Sequence, residues 1–171
     1  MATGRGTKLT GAIGEFLVSA ELCRRGLLAT PFSGNVPHYD IIASDEFGGH
    51  VVIQVKAINK VNWQFDARRF VEITMNGDRQ TLGSPVNEPY PGLYCVFVAL
   101  GESNNSDRYF VFSWEDLRSL IIRHHQAYLE KHGGVRPKSP ESTHCSISIS
   151  ELEIFEDQWD QILLSVENSR L

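Results

Sequence analysis

The stretch Tyr39-Asp40-Ile41-Ile42-Ala43-Ser44, the bend Asp45-Glu46-Phe47-Gly48-Gly49 and the run His50-Val51-Val52-Ile53-Gln54-Val55-Lys56 decide how this chain is to be read. Two apolar runs of strand length around a glycine-bearing bend spell a hairpin. In the second run Val51, Ile53, Val55 and Ala57 alternate with Val52, Gln54 and Lys56, and period two places the two sets on opposite faces of a sheet. Gln54 and Lys56 therefore share a face with Val52. A five-residue loop pairs Ser44 with His50, and the same register sets Asp40 opposite Gln54. Cross-strand neighbours lie roughly 5 Å apart at Cβ. An acid, an amide and an amine are thus expected in one small patch, on strands where apolar residues would be ordinary.

The elements on either side are readable from periodicity. Leu9, Ala12, Ile13, Phe16, Leu17, Ala20 and Cys23 recur at three- and four-residue spacing, which predicts a helix over residues 8–25 that buries this stripe. Gly26 after Arg24-Arg25 is a helix stop. Gly11 and Gly14 inside the helix each cost roughly 1 kcal/mol against alanine, and beside Glu15 they suggest a close approach, either to a strand or to a ligand. A short strand is expected over 27–32, followed by a turn at Ser33-Gly34-Asn35-Val36-Pro37. Beyond the hairpin, residues 61–65 and 70–75 look extended, with a helical turn over 66–71 as the alternative, and a Pro/Gly-rich loop over 81–92. Leu93 to Leu100 is a near-continuous apolar run suited to the centre of a sheet covered on both faces, and 108–112 returns as a strand.

Ser113, with Glu115 and Asp116 in the first turn, caps a second helix whose stripe is Leu117, Leu120, Ile121, His124, Tyr128 and Leu129. A short strand over 143–149 and a last helix opened by a Ser150–Glu153 capping box complete the order. The acids of that segment (Glu151, Glu153, Glu156, Asp157, Asp160) read as a solvated face. The fold class is α/β, bordering α+β, with a mixed sheet flanked by helices. One domain is expected, its core over about 8–112 and a C-terminal helical extension over 113–171.

Composition narrows the function. The chain has 171 residues, 42% hydrophobic and 22% charged, ordinary values for a soluble globular protein. No apolar run has membrane-spanning length and no signal-peptide pattern opens it. Cys23, Cys95 and Cys145 are far apart and lack CxxC spacing, which fits a reduced, cytoplasmic compartment and neither a disulfide scaffold nor a zinc ribbon. His124, His125 and His132 share a helix without a zinc-ligand pattern, and His124, on the apolar stripe, reads as a packed histidine. The net charge of −5 is a poor match to non-specific coating of nucleic acid. Residues 1–80, however, hold nine Lys/Arg against eight Asp/Glu, and residues 81–171 seven against thirteen, so a phosphate-facing surface belongs to the first half.

Asp40, then Gln54-Val55-Lys56 on the next strand, preceded by a helix bearing Gly14-Glu15, resembles the PD-(D/E)xK nuclease superfamily, whose members include restriction enzymes, Holliday-junction resolvases and some homing endonucleases. The likeness spans about residues 8–58, with 93–100 as a further core strand. Tyr39 stands where proline is usual and Gln54 where the tripeptide acid is usual, and no crossover helix is evident between Lys56 and the strand at 93. The resemblance implies a restriction-endonuclease-like core, DNA as substrate and Mg²⁺ or Mn²⁺ as cofactor. It implies Glu15, Asp40, Gln54 and Lys56 as catalytic residues, with Asp40, Gln54 and Glu15 as metal ligands and the Val55 carbonyl alongside. Lys56 would orient or deprotonate the attacking water, or steady the phosphate. Arg24, Arg25, Lys60, Gln64, Arg68 and Arg69, with Lys8, are the candidates for DNA contact. Symmetric cutting of a duplex calls for a homodimer, for which the sequence names no interface. With Gln54 removing one charge from the site, the alternative is a nuclease-fold protein of weak or no activity that binds nucleic acid or protein.

Overall fold

The computed structural model describes residues 4–32, 37–103 and 106–170. The expected turn at 33–37 therefore lies largely outside the described residues. The elements are α1 (Gly4–Arg24), β1 (Leu28–Pro31), β2 (Ile41–Ser44), β3 (His50–Ile58), β4 (Asn62–Asp66), β5 (Val71–Asn76), β6 (Arg79–Pro85), β7 (Tyr94–Ala99), β8 (Arg108–Ser113), α2 (Trp114–Lys131), β9 (His144–Ser148) and α3 (Asp160–Asn168). Short 3-10 segments occupy Ala67–Arg69 and Ile149–Phe155.

The main sheet has the order β1-β2-β3-β7-β8, antiparallel except for the parallel β3/β7 pair. The hairpin register is as expected, with Ser44 opposite His50 and Ile41 opposite Ile53. A parallel pair needs a crossover. Here residues 59–93 supply it without an α-helix, through β4, a 3-10 turn and the β5–β6 hairpin. That hairpin corrects the loop expected over 81–92. Gly77-Asp78 closes it, Thr81 to Pro85 pair with β5, and Pro85 is tolerated as the last residue of the strand.

Each face of the sheet carries its own core. Val52, Phe97, Phe110 and Phe112 pack with Trp63 and Phe65 of β4, Ile147 of β9 and Leu117 and Ile121 of α2. On the other face Ile41, Ile53, Val96, Val98 and Val111 pack under Val18 and Leu22 of α1 and Trp159, Ile162 and Val166 around α3. The run 93–100 thus lies at mid-sheet between two covers, as its continuous hydrophobicity requires. No helix among the described residues is long and apolar enough to cross a membrane.

Three local expectations are corrected. First, α1 begins at Gly4 and buries the opposite face from the expected one. Gly14, Val18 and Leu22 face the sheet, while Leu9, Ile13, Phe16, Ala20 and Cys23 are exposed. The cause is Gly14: a Cβ there would lie 2.5 Å from the Ala57 Cβ, so only this face lets the helix approach β3. Second, the packed histidine of α2 is His125, not His124. His125 Nε2 donates to Gln80 Oε1 at 2.9 Å, and the Gln80 amide donates to the Pro140 and Ser142 carbonyls. Third, the C-terminal capping box is Ser148–Glu151, it opens a 3-10 segment, and α3 starts only at Asp160. Nor are its acids merely solvated, since Glu156 holds Arg108 at 2.6 and 2.7 Å. Helix α2, by contrast, has the expected Ser113 cap, reciprocated by Asp116.

Two predictions come from this packing. Gly14→Ala gains helix propensity of roughly 1 kcal/mol yet should lower Tm, because overpacking a close contact costs typically 1–3 kcal/mol. Gly11→Ala, with nothing within 4 Å of the new Cβ, should raise it. Burial holds His125 neutral and takes its pKa down to about 4. The unfolded chain, with His near 6.5, then binds more protons between about pH 4 and 6.5. Stability is full above that window and falls through it as pH drops, by up to about 3 kcal/mol. Urea titrations across the window should show this slope in wild type and lose it in His125→Leu.

Candidate active site

The site begins where β2 ends. The Asp40 N–H donates to the Ile53 carbonyl at 2.8 Å, and β2 starts at the next residue, so its pairing with β3 covers only His50–Ile53. Strand β3 runs on to Ile58. On the β2 side, the backbone of Val55 consequently meets no neighbouring strand. The Asp40 side chain fills the place of the missing carbonyl: Oδ2 accepts the Val55 N–H at 2.7 Å. Because N–H and C=O of one strand residue point to the same edge, the Val55 carbonyl opens onto the same gap.

Glu15 reaches this gap from α1. Gly14 seats the helix on Ala57 and Val55, and the next residue is placed beside Asp40. Partial burial, and then the Asp40 charge, hold the Glu15 carboxyl above its ordinary value. Asp40 is also raised, by burial first, against the opposing pull of the Val55 N–H and the Lys56 charge. Lys56 is on the face of β3 turned away from α1, its ammonium 5.7 Å over the Phe65 ring. Burial and then the charge of Arg69 push its pKa below that of an ordinary lysine, while Asp40 and Cys95 pull the other way. Among the described ion pairs none joins Asp40 to Lys56, so the two sense each other without direct contact. Gln54 donates its amide nitrogen to the His38 carbonyl at 3.3 Å, which leaves its amide oxygen as the free acceptor. His38 itself has a positive φ of 80°, a conformation uncommon outside glycine.

The basic candidates separate into two groups. Arg24 and Arg25 both bind Glu21 at 2.5 Å, and Arg25 also stacks over Trp159. Arg68 is held by Asp66 at 2.7 Å. Lys60 and Gln64, by contrast, line with Lys56 a groove of about 670 Å³ between the first turns of α1 and β3–β4. Lys8 is exposed on α1. Thr10, Asn59, Asn62 and Trp63 also line the groove. Thr10 and Asn59 carry no signal in the sequence, because a single polar residue does not show what it faces.

Among the described residues no group of three His, Cys, Asp or Glu side chains is arranged to hold a metal ion. The carboxylates of Glu15 and Asp40 share this corner with the Val55 backbone, while Gln54 alternates onto the Lys56 face of β3. Hard oxygen donors with one or two carboxylates suit Mg²⁺ or Mn²⁺. Two neighbouring acids, one of which is raised by the charge of the other, are also a pair a cation would relieve.

No family model matches the chain, and no curated protein matches it. Among solved structures it is similar to a bacterial homing endonuclease, with a TM-score of 0.54 over 96% of this chain and 98% of that one, at 15% identity. The likeness shows a nuclease-like fold.

The coupling of these charges has a measurable sign. Asp40→Asn removes the anion that raises both Glu15 and Lys56, so both pKa values should fall in NMR titrations, Glu15 towards an ordinary carboxylate and Lys56 further below an ordinary lysine. An unchanged Glu15 would mean that burial alone shifts it.

Proposed function

We propose that this chain is a cytoplasmic, metal-dependent DNA endonuclease of the PD-(D/E)xK type, using Mg²⁺ or Mn²⁺. One observation carries the reading: an acid just before β2 holds the backbone of the neighbouring strand at Val55, whose next residue is a partly dehydrated lysine, with a second acid beside it. The likeness in fold to a homing endonuclease supports DNA as the substrate, and the three unpaired cysteines suit a reducing compartment.

Each group then has a task. Asp40 and Glu15 supply the anionic oxygens, the Val55 carbonyl and Gln54 oxygen the neutral ones. A divalent ion held there supplies charge neutralisation at the phosphate and acidifies water. Lys56, a compact charge with a depressed pKa, orients the attacking water and accepts its proton when neutral, or holds the extra negative charge of the phosphate when charged. Lys60 and Gln64 would meet the sugar-phosphate backbone along the groove, and Arg69, whose charge acts on Lys56, would add to the positive field at the site. Gln54 in place of an acid, together with the ion pairing of Arg24, Arg25 and Arg68, favours as second reading a nuclease-fold protein that binds nucleic acid or protein with weak or no cleavage.

Cleavage of branched, nicked and linear DNA with added Mg²⁺ or Mn²⁺ separates the two. The endonuclease reading expects metal-dependent cutting that drops on the order of a hundredfold or more in Asp40→Ala and Lys56→Ala, with Gln54→Glu active and altered in metal dependence. Equal activity in all variants would place the chemistry elsewhere. Salt-sensitive binding without cutting would select the second reading.

A further inference from the structure

Helix α1 is apolar on both sides, and only one side has a partner. Gly14, Val18 and Leu22 are taken up by the sheet. Diametrically opposite, Leu9, Ile13, Phe16, Ala20 and Cys23 follow one another at spacings of four, three, four and three, the a/d pattern of a helix seam. Leu9 is 57% exposed, Ile13 47% and Phe16 66%. Helices apolar all round are normally buried all round. Between Leu9 and Cys23 the arc carries no charged side chain, and Arg24 at its edge is paired with Glu21.

We infer that this face is a homodimer seam, occupied by α1 of a second copy running antiparallel. The pattern is nearly symmetric about Phe16. A two-fold axis there sets Phe16 on Phe16 at the centre, and on either side Leu9 against Cys23 and Ile13 near Ala20, a large side chain against a small one, which is how facing positions interdigitate. A parallel pair would instead stack Ala20 on Ala20 and leave space at that layer. At roughly 200 Å² for a large apolar side chain, Leu9, Ile13 and Phe16 leave on the order of 300 Å² of apolar surface per copy. With Ala12, Leu17, Ala20 and Cys23 alongside, pairing two copies buries on the order of 1,000 Å², the lower bound of a specific interface. A reversible dimer is therefore expected. Under the nuclease reading the seam also fixes two sites relative to each other, because Glu15 is the residue before Phe16.

The test needs neither DNA nor activity, so its outcome is separate from that of the function proposed above. Sedimentation of the full chain across the micromolar range should show a monomer–dimer equilibrium. Phe16→Glu and Ile13→Glu, both at exposed positions, should be monomeric with unchanged circular dichroism and Tm. In Leu9→Cys, mild oxidation should give a covalent dimer through Cys23 of the other copy, since Cys95 and Cys145 are buried. A wild type monomeric throughout overturns the proposal, as does a dimer that survives both glutamates. Cross-linking of wild type through Cys23 alone overturns the antiparallel arrangement. Binding of a monomeric wild type to anionic vesicles through Phe16 would assign the face to a lipid surface and overturn it too.

Discussion

The bond from the Val55 N–H to the Asp40 carboxylate is the constraint on which the site rests. It exists because β2 is shorter than β3. A strand that outruns its neighbour exposes backbone groups that must be satisfied, and here an acid satisfies one of them at 2.7 Å. That single bond orients the carboxylate, leaves its second oxygen free, and directs the Val55 carbonyl to the same place. Backbone geometry, more than any side-chain cluster, makes this corner of the sheet a collection of oxygens.

Charge is the second constraint. Two acids and a lysine share a partly buried corner, and each is shifted against its charged form. Burial is the largest cause for all three. A direct Asp40–Lys56 ion pair would quench both groups; none is present among the described ion pairs, and the Lys56 ammonium lies over the Phe65 ring instead. The arrangement sets two acids near an amine that gives up its proton more easily than an ordinary lysine. The proposed hydrolysis draws on both.

Much of this was legible in the sequence. The hairpin register followed from loop length and alternation, the central strand from a continuous apolar run, and the α2 cap from Ser113 and the acids after it. The polar intrusions at Asp40, Gln54 and Lys56 stood out because they break the pattern of the strands that carry them. The helix stop at Gly26 was equally plain: its φ is +89°, and the Leu27 N–H returns to the Leu22 carbonyl. What misled was α1. Its most regular apolar stripe reads as buried and is exposed in the fold, since periodicity identifies an apolar face without naming what covers it. The β6 strand was hidden for a related reason, its Gly and Pro being turn residues that a hairpin partner can nonetheless hold extended.

By itself, then, the sequence determined which residues alternate, where the hairpin bends and which polar groups interrupt it. These are local matters, set by the two-residue period of a strand and the steric demands of turns. Only the tertiary structure decided how α1 is rotated, because that depends on the fit of Gly14 against Ala57, a contact between residues far apart in the chain. It likewise decided that Arg24, Arg25 and Arg68 are spent on neighbouring acids while Lys60 and Gln64 line the groove beside Lys56. Charge in a sequence is a count. What each charge can act on is set by what folds beside it.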